Sequence, residues 1–148
     1  MQRAVLLLGG VLAILLNMQE SIFTKIIKGD IPAYKIYEDQ TTFAFLDIHP
    51  AVEGHILVVP KRQVDRLENL ASEEYQALLQ AVKRVMQRLV TVYGQEYRAC
   101  IKVEGFDVPH AHIHVLPCRD AADFWKKQNM AIEPDHQQLA KVAEKLTF

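Results

Sequence analysis

His110, His112 and His114 alternate with Ala111 and Ile113, and Val115-Leu116-Pro117 follow directly. An alternation of period two belongs to an extended strand, where successive side chains point to opposite faces. Ala111–Leu116 therefore reads as a strand that gathers three imidazoles on one face and sends Ala111, Ile113 and Val115 to the other. Three histidines in a row are a poor way to fill a core, so the imidazole face reads as a site.

Hydrophobic periodicity outlines the rest of the chain. Ser21–Lys28 reads as a short helix ended by Gly29, with Ile22, Phe23, Ile26 and Ile27 at helical spacing. Lys35–Glu38, Thr42–Asp47 and His55–Pro60 read as strands, separated by turn signals at Asp39-Gln40 and from Pro50 to Gly54. A long helix is expected over Ser72–Tyr93, with Ser72 as N-cap, Glu73 and Glu74 in the first turn, and Gly94 at its end. Its apolar stripe is Tyr75, Leu78, Leu79, Val82, Met86, Leu89, Val90 and Tyr93. Arg98–Glu104 reads as a further strand and Pro134–Leu146 as a terminal amphipathic helix. Short strands joined by tight turns, with one long helix between the third and fourth, define an α+β domain with helices packed on an antiparallel sheet.

The domain is expected over residues 18–148. Residues 1–17 form an apolar extension, whose run from Ala4 to Leu16 is short for the 17–25 residues of a membrane span. It reads as a signal-like leader or as the product of a mis-set start ahead of Met18. Membrane attachment is expected only through this stretch, and the location is expected to be cytoplasmic. Cys100 and Cys118 are the only cysteines, too few for a disulfide scaffold in a domain of this size. Lys plus Arg number 17 against 18 Asp plus Glu, a net charge of −1. That balance argues against nucleic acid as a partner, because such binding rests on clustered positive charge.

Two kinds of chemistry suit the histidine face. Neighbours two apart on a strand lie about 6.6 Å apart along its axis, so two of the three could share a metal ion with His49 or His55 as an outside ligand. The outer pair, about 13 Å apart, could not join them without a severe bend. Nucleophilic catalysis is the other reading. A neutral imidazole attacks phosphorus well near pH 7, provided that one ring nitrogen is free and the other is held by a hydrogen bond.

The sequence PHAHIHVLP resembles the signature of the histidine-triad (HIT) family. SIFTKIIKGDIPAYKIYED is similar to that family's opening, and FAFLDIHPAVEGHILVVPKR to its second block, so the resemblance spans nearly all of residues 20–117. It implies a HIT-like, roughly five-stranded antiparallel sheet with one long helix and shorter flanking helices. It also implies hydrolysis or transfer of nucleotides at the α-phosphate, most like the Hint-type purine nucleoside phosphoramidases. By matching position, His112 would be the nucleophile and form a nucleotidyl-histidine intermediate. His114 would contact phosphate oxygens and assist the leaving group, while His110 and His55 would support the nucleophile. Asp47 would bind the ribose hydroxyls, with an Asx turn before Pro50 as its alternative role. Ile22, Phe23, Ile26, Phe45, Leu46, Ile48 and Leu57 would line a slot for the base, each with plain core packing as the alternative.

No metal or other cofactor is required by this chemistry. Relatives with CxxC in the opening segment use it in a zinc site; Ser21 and Thr24 stand at those positions here. The stretch before the triad is also short. Val103-Glu104-Gly105 replaces an Asn-x-Gly turn, and the Gln-Ser or Gln-Thr donors of many relatives are missing, with a backbone N–H near Val108 as a replacement. Gln63 stands where many relatives have a histidine. Lys61, Arg62 and Lys102 are candidates for a cationic rim, with a solvated surface as their other reading. A homodimer is implied, paired through the long helix and the strand after it. The alternatives to a phosphoramidase are a dinucleoside polyphosphate hydrolase, a nucleotide-binding module with weak catalysis, and a metal-binding protein.

Overall fold

The structure, a computed structural model, describes residues 19–148; the expectations for residues 1–17 and for a start at Met18 lie outside them. Helix α1 spans Ile22–Lys28. Strands β1 (Lys35–Glu38), β2 (Thr42–Leu46) and β3 (Ile56–Pro60) follow. A single 3-10 turn at Leu67–Asn69 leads into α2, Ser72–Tyr93. Strands β4 (Arg98–Val103) and β5 (Ile113–Cys118) come next. Helices α3 (Ala121–Trp125) and α4 (His136–Leu146) complete the chain. The strands form one antiparallel sheet in the order β1-β2-β3-β5-β4, as the α+β reading expects.

Local signals explain most boundaries. Ser21 caps α1 by accepting the Thr24 N–H, and Gly29 closes it at φ 84°. Asp39 accepts the backbone N–H groups of Thr41 and Thr42, which makes the β1–β2 turn. Gly54, also at φ 84°, ends the β2–β3 connection just before His55. The N-cap of α2 is Ala71 and not Ser72, and the Glu74 carboxylate reaches back to hold the Ala71 N–H.

The main core lies between one face of the sheet and helices α2 and α4. Ile36, Ala44, Ile56, Val58, Ile113 and Val115 meet Leu78, Ala81, Val82, Val85 and Leu89 of α2 and Leu139, Val142 and Leu146 of α4. The expected α2 stripe holds at Leu78, Val82 and Leu89, with Met86 and Tyr93 packed against the core, and departs at its edges. Tyr75 and Leu79 are exposed, while Ala81 and Val85 are buried. A small residue lets the helix approach the sheet closely, and a scan for large apolar side chains passes over it.

The opposite face of the sheet carries a smaller cluster, Phe23, Phe43, Phe45, Leu57 and Val59, which α1 covers. Alternation along β2 and β3 feeds both faces, and every residue of each strand is buried. No helix among the described residues is long and apolar enough to cross a membrane.

Candidate active site

The strand carrying the triad starts later than the alternation predicts. β5 begins at Ile113, so only His114 lies within it, and His110, Ala111 and His112 precede it. Strand β3 pairs with β5 only through Ile56, Leu57 and Val58. Beyond them Pro60 has no N–H to offer, and its carbonyl is taken by a side chain. The Ala111 N–H turns instead to the Val64 carbonyl. The alternation still sorts the side chains. Ile113 and Val115 join the main core, and the rings of His112 and His114 lie together on the other face, 5.0 Å apart.

The hydrogen bonds fix the tautomer of every triad ring. The His110 ring lies 2.7 Å from the Pro60 carbonyl through Nε2, which must therefore donate. Its Nδ1 then accepts from Ser21 Oγ at 2.7 Å. Burial holds His110 below the usual histidine range, so it stays neutral in this role. His112 donates from Nδ1 to the His110 carbonyl at 2.7 Å, which leaves Nε2 unprotonated and free. Nδ1 of His55 accepts the Ala51 N–H, so its Nε2 donates to Nδ1 of His114 at 2.8 Å. The proton of His114 is thereby placed on Nε2, a buried atom with no hydrogen-bond partner among the described residues. Burial, then the neighbouring charges, lowers His55 to about 3 and His114 to about 4.

These rings flank a cavity of about 560 Å³. Ile22, Phe23, Ile26, Phe45, Leu46, Asp47, Ile48, Leu57 and Val108 all line it, together with His112 and His114. Ile22 and Ile48 are 49% and 42% exposed, which suits a slot better than a core. The Phe23 ring meets His112 edge-on at 5.1 Å. His110 and His55 do not line this cavity: His110 reaches His112 through its backbone, and His55 supports His114 rather than the expected nucleophile.

Asp47 makes the Asx turn considered for it and also lines the cavity. Its Oδ1 accepts the His49 N–H in an Asx turn, while Oδ2 faces the cavity side and accepts from Gln128 Nε2 at 2.8 Å. Burial raises its pKa, against the pull of those two hydrogen bonds. Gln128 also donates to the His49 carbonyl. With Met130, Glu104 and Asp107 it lines the cavity, so the site extends beyond residues 20–117, over which the family resemblance runs. No sequence pattern marks Gln128; Glu104 sat in the Val103-Glu104-Gly105 turn that stands in for a family motif.

Of the expected cations, Lys61 pairs with Glu38 and Arg62 with Glu74, away from the cavity. Lys102 alone is near the histidines, with Nζ 4.7 Å from the centre of the Phe124 ring. Ser21, Thr24 and Gln63 form a closed polar cluster with His110. Gln63 Oε1 accepts from the Ser21 N–H and the Thr24 hydroxyl, and its Nε2 donates to the Gln19 carbonyl. One trio among the described residues could offer ligands to a metal ion: Asp47, His55 and His114, with donor atoms within 4.8 Å of one another. Using it would break the bond between His55 and His114. Cys100 and Cys118 are free thiols.

An α+β domain with a relayed histidine pair at the wall of an apolar cavity is the class this geometry defines. A family profile described as "HIT domain" matches residues 28–121, more than half the chain. An adenosine 5'-monophosphoramidase of Candida albicans is 34% identical over 133 residues, covering 84% of this chain and 88% of its own. The crystal structure of a histidine triad nucleotide-binding protein from the same organism aligns with TM-score 0.65 and 31% identity, over 86% of this chain and 94% of that one. A Hit-like protein of Bartonella henselae aligns with TM-score 0.73 and 26% identity, over 86% and 93%. The chain belongs to the HIT domain family.

Proposed function

We propose that this protein is a nucleotide hydrolase that acts at the α-phosphate through a nucleotidyl-His112 intermediate and releases a nucleoside monophosphate, as a purine nucleoside phosphoramidase does. The observation that carries this reading is the free Nε2 of His112 beside the protonated Nε2 of His114. In the first step, Nε2 of His112 attacks phosphorus and the bond to the leaving group breaks. The leaving group is hydrogen-bonded by the Nε2–H of the neutral His114 and departs with a proton taken from solvent. The positive charge that develops on the His112 ring is met at Nδ1–H by the His110 carbonyl. In the second step, water gives its hydroxide to phosphorus and its proton to solvent, which frees His112. Asp47 would hold the ribose hydroxyls in place of the Gln128 amide, and the apolar wall would hold the base. The resemblance to an adenosine 5'-monophosphoramidase supports the same substrate class.

The test is AMP release from adenosine phosphoramidate and from diadenosine polyphosphates, with the full chain, His112→Ala and added chelator. AMP release lost in the variant and indifferent to chelator is expected. Full activity in His112→Ala overturns the covalent mechanism, and loss with chelator favours a metal. Nucleotide binding without turnover favours a binding module, the reading that the missing Gln-Ser or Gln-Thr donors support.

The working unit proposed is a homodimer. β4 is an edge strand, and its Ile101 and Val103 are 42% and 58% exposed on the α2 side of the sheet. Unpaired strand edges with apolar side chains favour self-association. Sedimentation as a monomer at micromolar concentration removes this proposal.

A further inference from the structure

A second cavity, of about 410 Å³, opens on the other side of His114. His114, Glu104 and Gln128 line both cavities, while His112 lines only the first and His55 and Lys102 only the second. Lys102 comes from β4, opposite His114 in the ladder, and Lys126 and Lys127 follow α3. None of these three lysines is paired with a carboxylate among the described residues. Glu104 is the one carboxylate in the lining, with Oε1 3.4 Å from His114 Nε2. His114, 6% exposed, lines both cavities, and its buried Nε2 has no hydrogen-bond partner among the described residues.

We propose that this second cavity is a leaving-group subsite and that it takes a leaving group carrying negative charge beyond the scissile bond. The inference rests on the hydrolase reading above. In-line displacement puts the leaving group opposite the attacking nitrogen, so a phosphorus attacked by His112 sends it away from that ring. His112 lines only the first cavity and His114 lines both, so His114 leads from the attacking ring to the second cavity, with its Nε2–H available to the departing atom. Three ammonium groups against one carboxylate give the subsite a positive balance that favours a carboxylate, phosphate or sulfate group. Glu104 lies against the histidine, and the three lysines share the lining with it. An amine leaving group that bears carboxylates and the remaining phosphates of a polyphosphate share this chemistry.

The experiment compares kcat/KM for adenosine phosphoramidates made on aspartate and on its dimethyl ester, with diadenosine tetraphosphate as a third substrate. In the full chain the acid is expected to exceed the ester by roughly tenfold, the sum of three partly screened ion pairs. That ratio falls toward one in Lys102→Gln/Lys126→Gln/Lys127→Gln, and it shrinks as salt is raised. Faster turnover of diadenosine tetraphosphate than of the aspartyl compound assigns the charge to phosphates, and the reverse order to carboxylates. A ratio of one or less in the full chain overturns the proposal. The same acid-to-ester ratio, read as Kd by calorimetry on His112→Ala, separates the two readings. A binding preference without turnover in the full chain sinks the hydrolase and keeps the subsite. No preference in binding or turnover sinks the subsite alone if AMP is still released.

Discussion

Nε2 of His55 donates to Nδ1 of His114 at 2.8 Å, across the pairing of β3 with β5. Because Nδ1 of His55 is already an acceptor, the direction of this bond is forced, and it decides which nitrogen of His114 carries the proton. The relation is testable without any substrate. Nitrogen-15 spectra of the free protein should show Nε2–H tautomers at His55, His110 and His114 and an Nδ1–H tautomer at His112. In His55→Phe the His114 tautomer becomes mixed, and kcat for adenosine phosphoramidate falls by roughly 10²-fold, the lower end of what one hydrogen-bond donor aimed at developing charge contributes. An unchanged kcat would remove His55 from the relay.

Acid should destabilise the protein over a defined window. His55 and His114 are held near 3 and 4, below the ordinary value of 6.5. Above pH 6.5 both states leave these rings neutral, and stability is unaffected. Between there and pH 4 the unfolded chain binds the protons and the folded chain does not, so stability falls as pH falls. Each ring contributes a slope of about 1.4 kcal/mol per pH unit. Urea midpoints at pH 7, 6, 5 and 4 read this slope, and His114→Gln should make it shallower. A flat profile contradicts burial of the neutral pair.

Ser21 holds two partners at once: its Oγ accepts the Thr24 N–H and donates to His110. Ser21→Ala removes a helix cap and leaves a buried ring nitrogen without its donor. A loss of about 2–3 kcal/mol in unfolding free energy is expected. A loss under about 0.5 kcal/mol would mean that water replaces the hydroxyl at no cost.

Gly54 and Gly29 share the same left-handed φ of 84° but differ in surroundings. A Cβ on Gly29 meets nothing within 4 Å, whereas one on Gly54 would lie 2.7 Å from Tyr93 Oη. Gly29→Ala should cost about 1–2 kcal/mol, the price of the backbone conformation. Gly54→Ala should cost more and should also lower kcat, because Gly54 delivers the chain to His55. Equal losses in thermal unfolding would show that Tyr93 simply moves aside.

Asp47 is expected to read the sugar. Asp47→Ala should weaken AMP binding while leaving 2′,3′-dideoxy-AMP nearly unaffected, so that the preference for the ribose form is lost in calorimetry. A wild-type protein with no such preference would leave Asp47 only its Asx turn.

Much of this was legible in the sequence because it depends on neighbours along the chain. Strand β1 and the long helix have the expected bounds, since hydrophobic period and turn residues act over a few positions. The histidine alternation gathered His112 and His114 on one face even though the strand starts only at Ile113. The nine residues expected around the nucleotide all line the first cavity. The stripe on α2 holds at Leu78, Val82 and Leu89 but omits Ala81 and Val85, which are small, and only the partner sheet shows that they face it.

Gln128 and Asp47 are 81 residues apart, and Ser21 and His110 are 89 apart. Periodicity is a local property of the chain and carries no record of which distant side chains will meet. The residue types at the site, their common face and the elements that carry them were therefore readable from the sequence. The protonated nitrogen of each ring, the engagement of Asp47 by Gln128 and the second cavity beside His114 arise from hydrogen bonds and packing that exist once distant segments have been brought together.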